Sequence, residues 1–132
     1  MKKVVSLFIA ALMISSCSEA QQKRVSGTAQ TAETIVRVVV AEEFKQMMKK
    51  EDVQLIDVRT QREYGNGHIV NAENLDFYSD DFRAMLAKLD KNKITLVYCH
   101  SGGRSAKASK LMADMGFINV ADLKGGYSAW PY

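Results

Sequence analysis

The run Leu96-Val97-Tyr98-Cys99-His100-Ser101-Gly102-Gly103-Arg104-Ser105 changes character twice. Apolar residues lead into a cysteine, a loop bearing two glycines follows, and an amphipathic helical pattern then begins. Ala108, Leu111, Met112 and Met115 carry the helical spacing, and Gly116 is placed to end it. A strand with few polar interruptions, followed by a helix, belongs to a parallel sheet covered on both faces. Ligands of such sheets bind beyond the carboxyl ends of the strands. Cys99 stands at such an end. Backbone N–H groups and the positive end of the helix dipole converge there on an anionic atom. The stretch therefore predicts a cysteine held as a thiolate and used as a nucleophile.

The same alternation continues on both sides. Val38-Val39-Val40 is a short β-rich run. Residues 41–50 put Ala41, Phe44, Met47 and Met48 on one helical face, with Glu42 and Glu43 in the first turn. Val53 to Val58 read as a buried strand. Ser79 is expected to N-cap a helix with Asp80 and Asp81 in its first turn. Phe82, Met85, Leu86 and Leu89 supply the apolar face of that helix. Ile94 to Tyr98 form the strand before the cysteine, and Ile118 to Leu123 form another. Gly125-Gly126 opens a last short segment to Trp130. The expected fold is α/β: a central, mostly parallel sheet of about five strands with helices on both faces, over residues 35–132.

Residues 1–16 read as an export signal. Lys2 and Lys3 make the positive start, and Val4 to Ile14 make an apolar stretch broken only by Ser6. That stretch is too short to span a bilayer. Ile14-Ser15-Ser16-Cys17 resembles a bacterial lipobox, in which the peptide is cut before the cysteine and the cysteine is lipidated. The expectation is a lipid anchor at Cys17, with the protein exported and held on a bacterial membrane facing the periplasm or the exterior. An ordinary signal peptide with an incidental Cys17 is the alternative. Residues 17–34 are mostly small and polar with no periodicity, as in a flexible tether.

Charge and cysteine count narrow the function. The net charge is +3, but from Ile35 onward 14 Lys and Arg face 13 Asp and Glu. No basic block remains to suggest nucleic acid as a partner. Two cysteines exist in the whole chain. If Cys17 carries lipid, Cys99 has no partner for a disulfide, and a lone thiol in an exported protein asks for a chemical reason. Cys99, His100 and His68 lack zinc-type ligand spacing, so no metal and no other cofactor is expected.

Four residues separate Cys99 from Arg104. If the loop curls round a point, the N–H groups of His100, Ser101, Gly102, Gly103, Arg104 and Ser105 can face inward, lowering the thiol pKa and binding an anion. Arg104 adds a charged fork suited to oxyanions. Gly102 and Gly103 permit the tight turns. The expected substrate joins an electrophilic atom to anionic oxygens.

Here the chain resembles a single-domain sulfurtransferase of the rhodanese type, over about residues 36–130. Four pieces carry the resemblance. They are Asp57-Val58-Arg59 with Glu63-Tyr64, Gly67-His68-Ile69 with Ala72, the loop Cys99 to Ser105, and Leu123-Lys124-Gly125-Gly126 with Ala129-Trp130. The resemblance implies that Cys99 takes a sulfur from a small anionic donor such as thiosulfate. A Cys99 persulfide then passes it to cyanide or a thiol, a thioredoxin-like protein among the candidates. Many relatives carry arginine after the cysteine where this chain has His100, and proline and glycine where it has Val70 and Asn71. The first change removes a permanent charge. The second predicts a local loop change only.

Asp57 and Arg59 could touch substrate, but an ion pair holding the loops beneath the site is the favoured reading, with Glu63 in the same network. His68 sits in a turn, where satisfying backbone groups competes with a role as base. His100 reads as loop-lining and Trp130 as core or pocket wall. Two other functions compete. A phosphatase or arsenate reductase would need one more residue between cysteine and arginine. A sulfur-carrier or interaction domain would bind sulfur without turnover.

Overall fold

The computed structural model describes residues 33–132. The expected signal peptide, Cys17 and nearly all of the tether lie outside the described residues. The domain is an α/β layer structure. Its strands are β1 (Ile35–Val39), β2 (Val53–Asp57), β3 (Glu73–Asn74), β4 (Ile94–Tyr98) and β5 (Asn119–Leu123). All pairings are parallel, in the spatial order β1-β5-β4-β2-β3. The helices are α1 (Ala41–Met47), α2 (Gln61–Gly65), α3 (Phe82–Ala87) and α4 (Gly103–Asp114), with a short 3₁₀ turn at Gly126–Ala129.

The central strand β4 shows why both faces must be covered. Its side chains alternate. Leu96 and Tyr98 enter the cluster containing Phe44 and Met47 of α1, with Tyr64, Tyr127 and Trp130 packed against it. Val97 and Cys99 enter the opposite cluster, with Phe82 and Leu86 of α3 and Ala108 and Met112 of α4. An unbroken apolar strand results. Cys99 follows the last strand residue, so the sulfur falls on the α3/α4 face at the carboxyl edge of the sheet.

Two local expectations change. Helix α3 begins at Phe82, later than expected, and Asp81 at its N-cap makes no side-chain cap. Ser79 caps nothing on the helix. Its Oγ accepts from the Asp81 N–H at 3.2 Å and its carbonyl accepts from the Phe82 N–H at 3.0 Å, so it closes the preceding turn. Helix α1 stops at Met47, and Met48 is its C-cap. Val70 and Asn71 lie in a turn. Asn71 sits at φ 66°, a left-handed conformation that asparagine tolerates.

Candidate active site

The loop after β4 wraps round the Cys99 sulfur. The Gly102 N–H donates to Sγ at 3.1 Å, and the Ser105 hydroxyl lies 3.5 Å from it. Gly102 takes φ 107° as the N-cap of α4, a conformation that needs glycine, and this aims its N–H back at the sulfur. Cys99 is a free thiol, 1% exposed. Burial pushes the thiol up. The Ser105 hydroxyl and the N–H groups of Ser105, Gly102 and Ser101 outweigh that, leaving the thiol below its ordinary value. Of the loop N–H groups expected to face the sulfur, those of Ser101, Gly102 and Ser105 favour its thiolate, and the Ser105 side chain joins them.

The rear of the loop is clamped by the 3₁₀ turn. The Tyr127 N–H donates to the Cys99 carbonyl at 2.8 Å and the Ser128 N–H to the His100 carbonyl at 2.9 Å. Gly126 lies so close that a Cβ there would come within 2.5 Å of the Cys99 carbonyl oxygen. Ser128 Oγ also donates to the His100 carbonyl at 2.8 Å and lies 3.2 Å from His100 Nε2. His100 is therefore an exposed residue of the loop rim, tied to Ser128.

Arg104 departs from expectation. Its fork is occupied: Nη1 and Nη2 donate to the Glu63 carboxylate at 2.8 and 2.7 Å. The fork was expected to meet substrate oxyanions, and instead it joins α4 to α2. The reason is local. Glu63 is the N3 residue of a capping box, accepting from the Thr60 N–H at 3.0 Å and Thr60 hydroxyl at 2.8 Å, so its carboxylate is already oriented when Arg104 arrives. Arg104 still places a fixed positive charge beside the cradle and is itself stabilised by the Cys99 thiolate. Tyr78 flanks the guanidinium, with 5.6 Å from Cζ to the ring centroid.

The other predicted residues sit deeper or to one side. Asp57 and Arg59 form a buried pair, with Arg59 Nη2 to Asp57 Oδ2 at 2.6 Å. Arg59 also donates to the Gly67 carbonyl at 2.7 Å and stacks at 4.1 Å over the Tyr127 ring. This pair joins the end of β2, the turn at Gly67 and the 3₁₀ turn behind the cradle, which is the loop-holding role expected of it. His68 stacks on Tyr64 at 3.7 Å, with Nδ1 3.0 Å from the Tyr64 carbonyl. Those contacts satisfy its turn. Among the described residues, no group of three or more His, Cys, Asp or Glu could hold a metal.

The Glu63 pair makes a prediction for stability. Hydrogen bonds from Arg104 and Thr60 hold the Glu63 carboxyl well below the usual carboxylate range, against the effect of burial. A depressed folded pKa contributes stability above the unfolded pKa of about 4.3 and loses it as pH falls toward the folded value. Between about pH 4.5 and 2.5 the wild type should therefore lose more Tm than Glu63→Gln. Parallel slopes by thermal denaturation would contradict the pair's role.

Strand, loop and helix hold one activated sulfur in a cradle of N–H donors, clamped by a second glycine turn. This is the architecture of a rhodanese, and the chain belongs to that family: the match to the Rhodanese-like domain runs over residues 40–131. Among curated relatives, thiosulfate sulfurtransferase GlpE of Shewanella oneidensis is 33% identical over 85 residues, covering 64% of this chain and 82% of that protein. GlpE of Coxiella burnetii is 35% identical over 85 residues, covering 64% and 78%. A crystal structure of a rhodanese-like domain protein from Staphylococcus aureus matches with TM-score 0.63 at 32% identity, over 71% of this chain and 90% of that one. These similarities support a transferase of the rhodanese type.

Proposed function

We propose that this protein is a sulfurtransferase that moves a sulfane sulfur from thiosulfate, or a related anionic donor, to cyanide or a thiol through a persulfide on Cys99. The observation that carries the reading is the set of donors converging on a buried Cys99 sulfur, held from behind by Gly126. In the first step the Cys99 thiolate attacks the outer sulfur of thiosulfate. A new S–S bond forms, the donor's S–S bond breaks, and its electron pair leaves with sulfite. The outer persulfide sulfur then takes the anionic position, where the loop N–H groups and the positive end of α4 can stabilise it. Cyanide attacks that sulfur, thiocyanate departs, and the Cys99 thiolate returns. A thiol acceptor, on a small molecule or a thioredoxin-like protein, plays the same part. Arg104 acts here by its charge rather than by gripping the donor, since Glu63 occupies its fork.

The test is intact-mass measurement after incubation with thiosulfate. One added sulfur, about 32 Da, should appear and be removed by cyanide or dithiothreitol, as a covalent intermediate requires. Steady-state thiocyanate production separates an enzyme from a one-shot carrier. An aryl phosphate run alongside should not turn over. Phosphate release without the sulfur adduct would sink the proposal.

We also propose that the protein is exported and lipid-anchored through Cys17, a reading supported by Ile14-Ser15-Ser16-Cys17 after a short apolar stretch. Full-length protein in bacterial cells should incorporate labelled fatty acid and fractionate with membranes, and Cys17→Ala should not. An unlabelled, soluble wild type would favour the ordinary signal peptide.

A further inference from the structure

Strand β1 is an edge of the sheet, with β5 on one side and no strand among the described residues on the other. Of the large hydrophobic residues exposed in the described part, most stand in or just after β1. They are Ile35, Val36, Val38 and Val40, the three valines 45%, 63% and 53% exposed. The opposite edge, β3, is two residues long. Proteins protect long edges with lysine, proline or a bulge. Strand β1 has none of these. Its register with β5 runs unbroken from Ile35 to Val39. Its one charged residue, Arg37, turns back onto α1, 3.4 Å from Glu43 and 3.6 Å from the Met47 sulfur.

The bonded side of β1 dictates what the free side presents. The Ile35 N–H donates to the Ile118 carbonyl at 2.9 Å, and the Val39 carbonyl accepts from the Lys124 N–H at 2.8 Å. Ile35, Arg37 and Val39 therefore turn their backbone groups toward β5. Alternation turns those of Val36 and Val38 outward, with the N–H of Val40. Side chains alternate as well. Val39 enters the core on the α1 side, so Val36, Val38 and Val40 share the other face of the sheet. An outward row of donors and acceptors and a stripe of exposed valines fall on the same residues.

We propose that this edge pairs with a second copy of the chain, β1 running antiparallel to β1 about a two-fold axis at Val38. The two Val38 residues exchange both of their backbone bonds, and each Val40 N–H donates to the partner's Val36 carbonyl. On the shared face Val38 meets Val38 and Val36 meets Val40, so the valines of both copies lose water. The match is self-complementary, as an isologous contact must be. Centring on Arg37 instead would set two guanidinium groups opposite each other and bring together backbone groups already bonded to β5. The chain's own leading segment is a poorer occupant. Residues 18–34 offer one aliphatic β-branched residue, Val25, with Gly27 close behind it, and so cannot supply a matching stripe of valines. The entry of the chain suits the pairing. Glu33 leads directly into β1, and across the axis the two Ile35 positions stand about 20 Å apart. Residues 17–34 reach about 60 Å when extended, so two anchors at Cys17 reach one membrane. The pairing itself rests neither on that anchor nor on the chemistry of Cys99.

The experiment is sedimentation velocity of the purified full-length chain, in mild detergent and reductant, through a micromolar concentration series, the range in which modest interfaces dissociate. A reversible monomer–dimer equilibrium is expected. Val38→Lys should raise its dissociation constant by about tenfold or more, since two ammonium groups would face each other across the axis. Val38→Pro should weaken the dimer through the backbone, because it removes a donor that points away from β5 and so spares the sheet. Val70→Lys, at a similarly exposed valine in the turn after α2, should leave the constant unchanged. A chain that stays monomeric through the series overturns the proposal, as does a dimer that tolerates both Val38 variants. Amide exchange of the wild type gives the answer if a variant fails to fold. The Val38 and Val40 N–H groups should exchange slowly at high concentration and faster on dilution. Equal protection in the monomer would mean that the chain's own segment holds the edge, and rapid exchange at every concentration that nothing does. Either result rejects the pairing.

Discussion

Cys99→Ser should show no thiocyanate production above background and no mass adduct after thiosulfate. The expected loss is about 10⁴-fold or more, the scale seen when a covalent nucleophile is removed. The cause is acidity. The loop donors bring a thiol below its ordinary value, but a serine hydroxyl in the same place stays protonated, and a neutral oxygen is a poor nucleophile toward sulfur. The fold should survive, because serine is smaller than cysteine and the Gly102 N–H and Ser105 hydroxyl that surround Sγ can bond to its oxygen. Unchanged Tm with lost activity would assign the loss to chemistry. Undiminished turnover would remove Cys99 from the mechanism.

Gly126→Ala should also lower activity, by about 10²-fold, without touching a reacting group. Gly126 has φ 62°, and a Cβ there would meet the Cys99 carbonyl oxygen at 2.5 Å and the His100 carbonyl carbon and oxygen at 2.7 Å. All three are backbone atoms, so no side chain can swing away. The left-handed conformation alone costs a non-glycine residue about 1–3 kcal/mol. Relief requires the clamp to move off the loop, lengthening the bonds from Tyr127 and Ser128 to the Cys99 and His100 carbonyls. A shift of the sulfur by about 1 Å is enough to lower kcat/KM by about 10²-fold. Iodoacetamide reactivity at neutral pH should fall with it, since the N–H donors would no longer converge. A variant with normal Cys99 reactivity would show that the clamp is not what shapes the cradle.

Legibility in the sequence followed the distance over which each feature is determined. Strand β4, the loop and α4 were readable because a strand, a glycine turn and a helix signal themselves within a few residues. The same holds for Phe82 and Leu86 on α3, which are buried as their spacing requires. Helix α2 and strand β3 gave no periodic signal, being five and two residues long. The start of α3 was misplaced because Ser79 suits both an N-cap and a turn, and the turn won. In the site, Cys99 and its donors were legible, while the occupation of Arg104 was not: Glu63 stands 41 residues away. Glu63 was expected in the network of Asp57 and Arg59, and the fold shows its carboxylate bonded to Thr60 and Arg104 instead. Gly126 read as a turn former, and its closeness to the Cys99 carbonyl depends on packing between distant segments.

The sheet order bears on how the protein is made. The first strand lies beside the last, and the turn that clamps the loop follows that last strand. A nascent chain that has emerged only as far as Asp114 holds the cysteine, the glycine loop and the helix, but neither β5 nor Gly126. Until those residues arrive, β1 has no neighbour and the loop has no rear wall. Reactivity of the thiol is therefore a property of the completed chain. A ribosome-bound intermediate, lacking the clamp, carries a cysteine with the reactivity of an ordinary thiol, and the cradle forms only as the last strand and its turn fall into place.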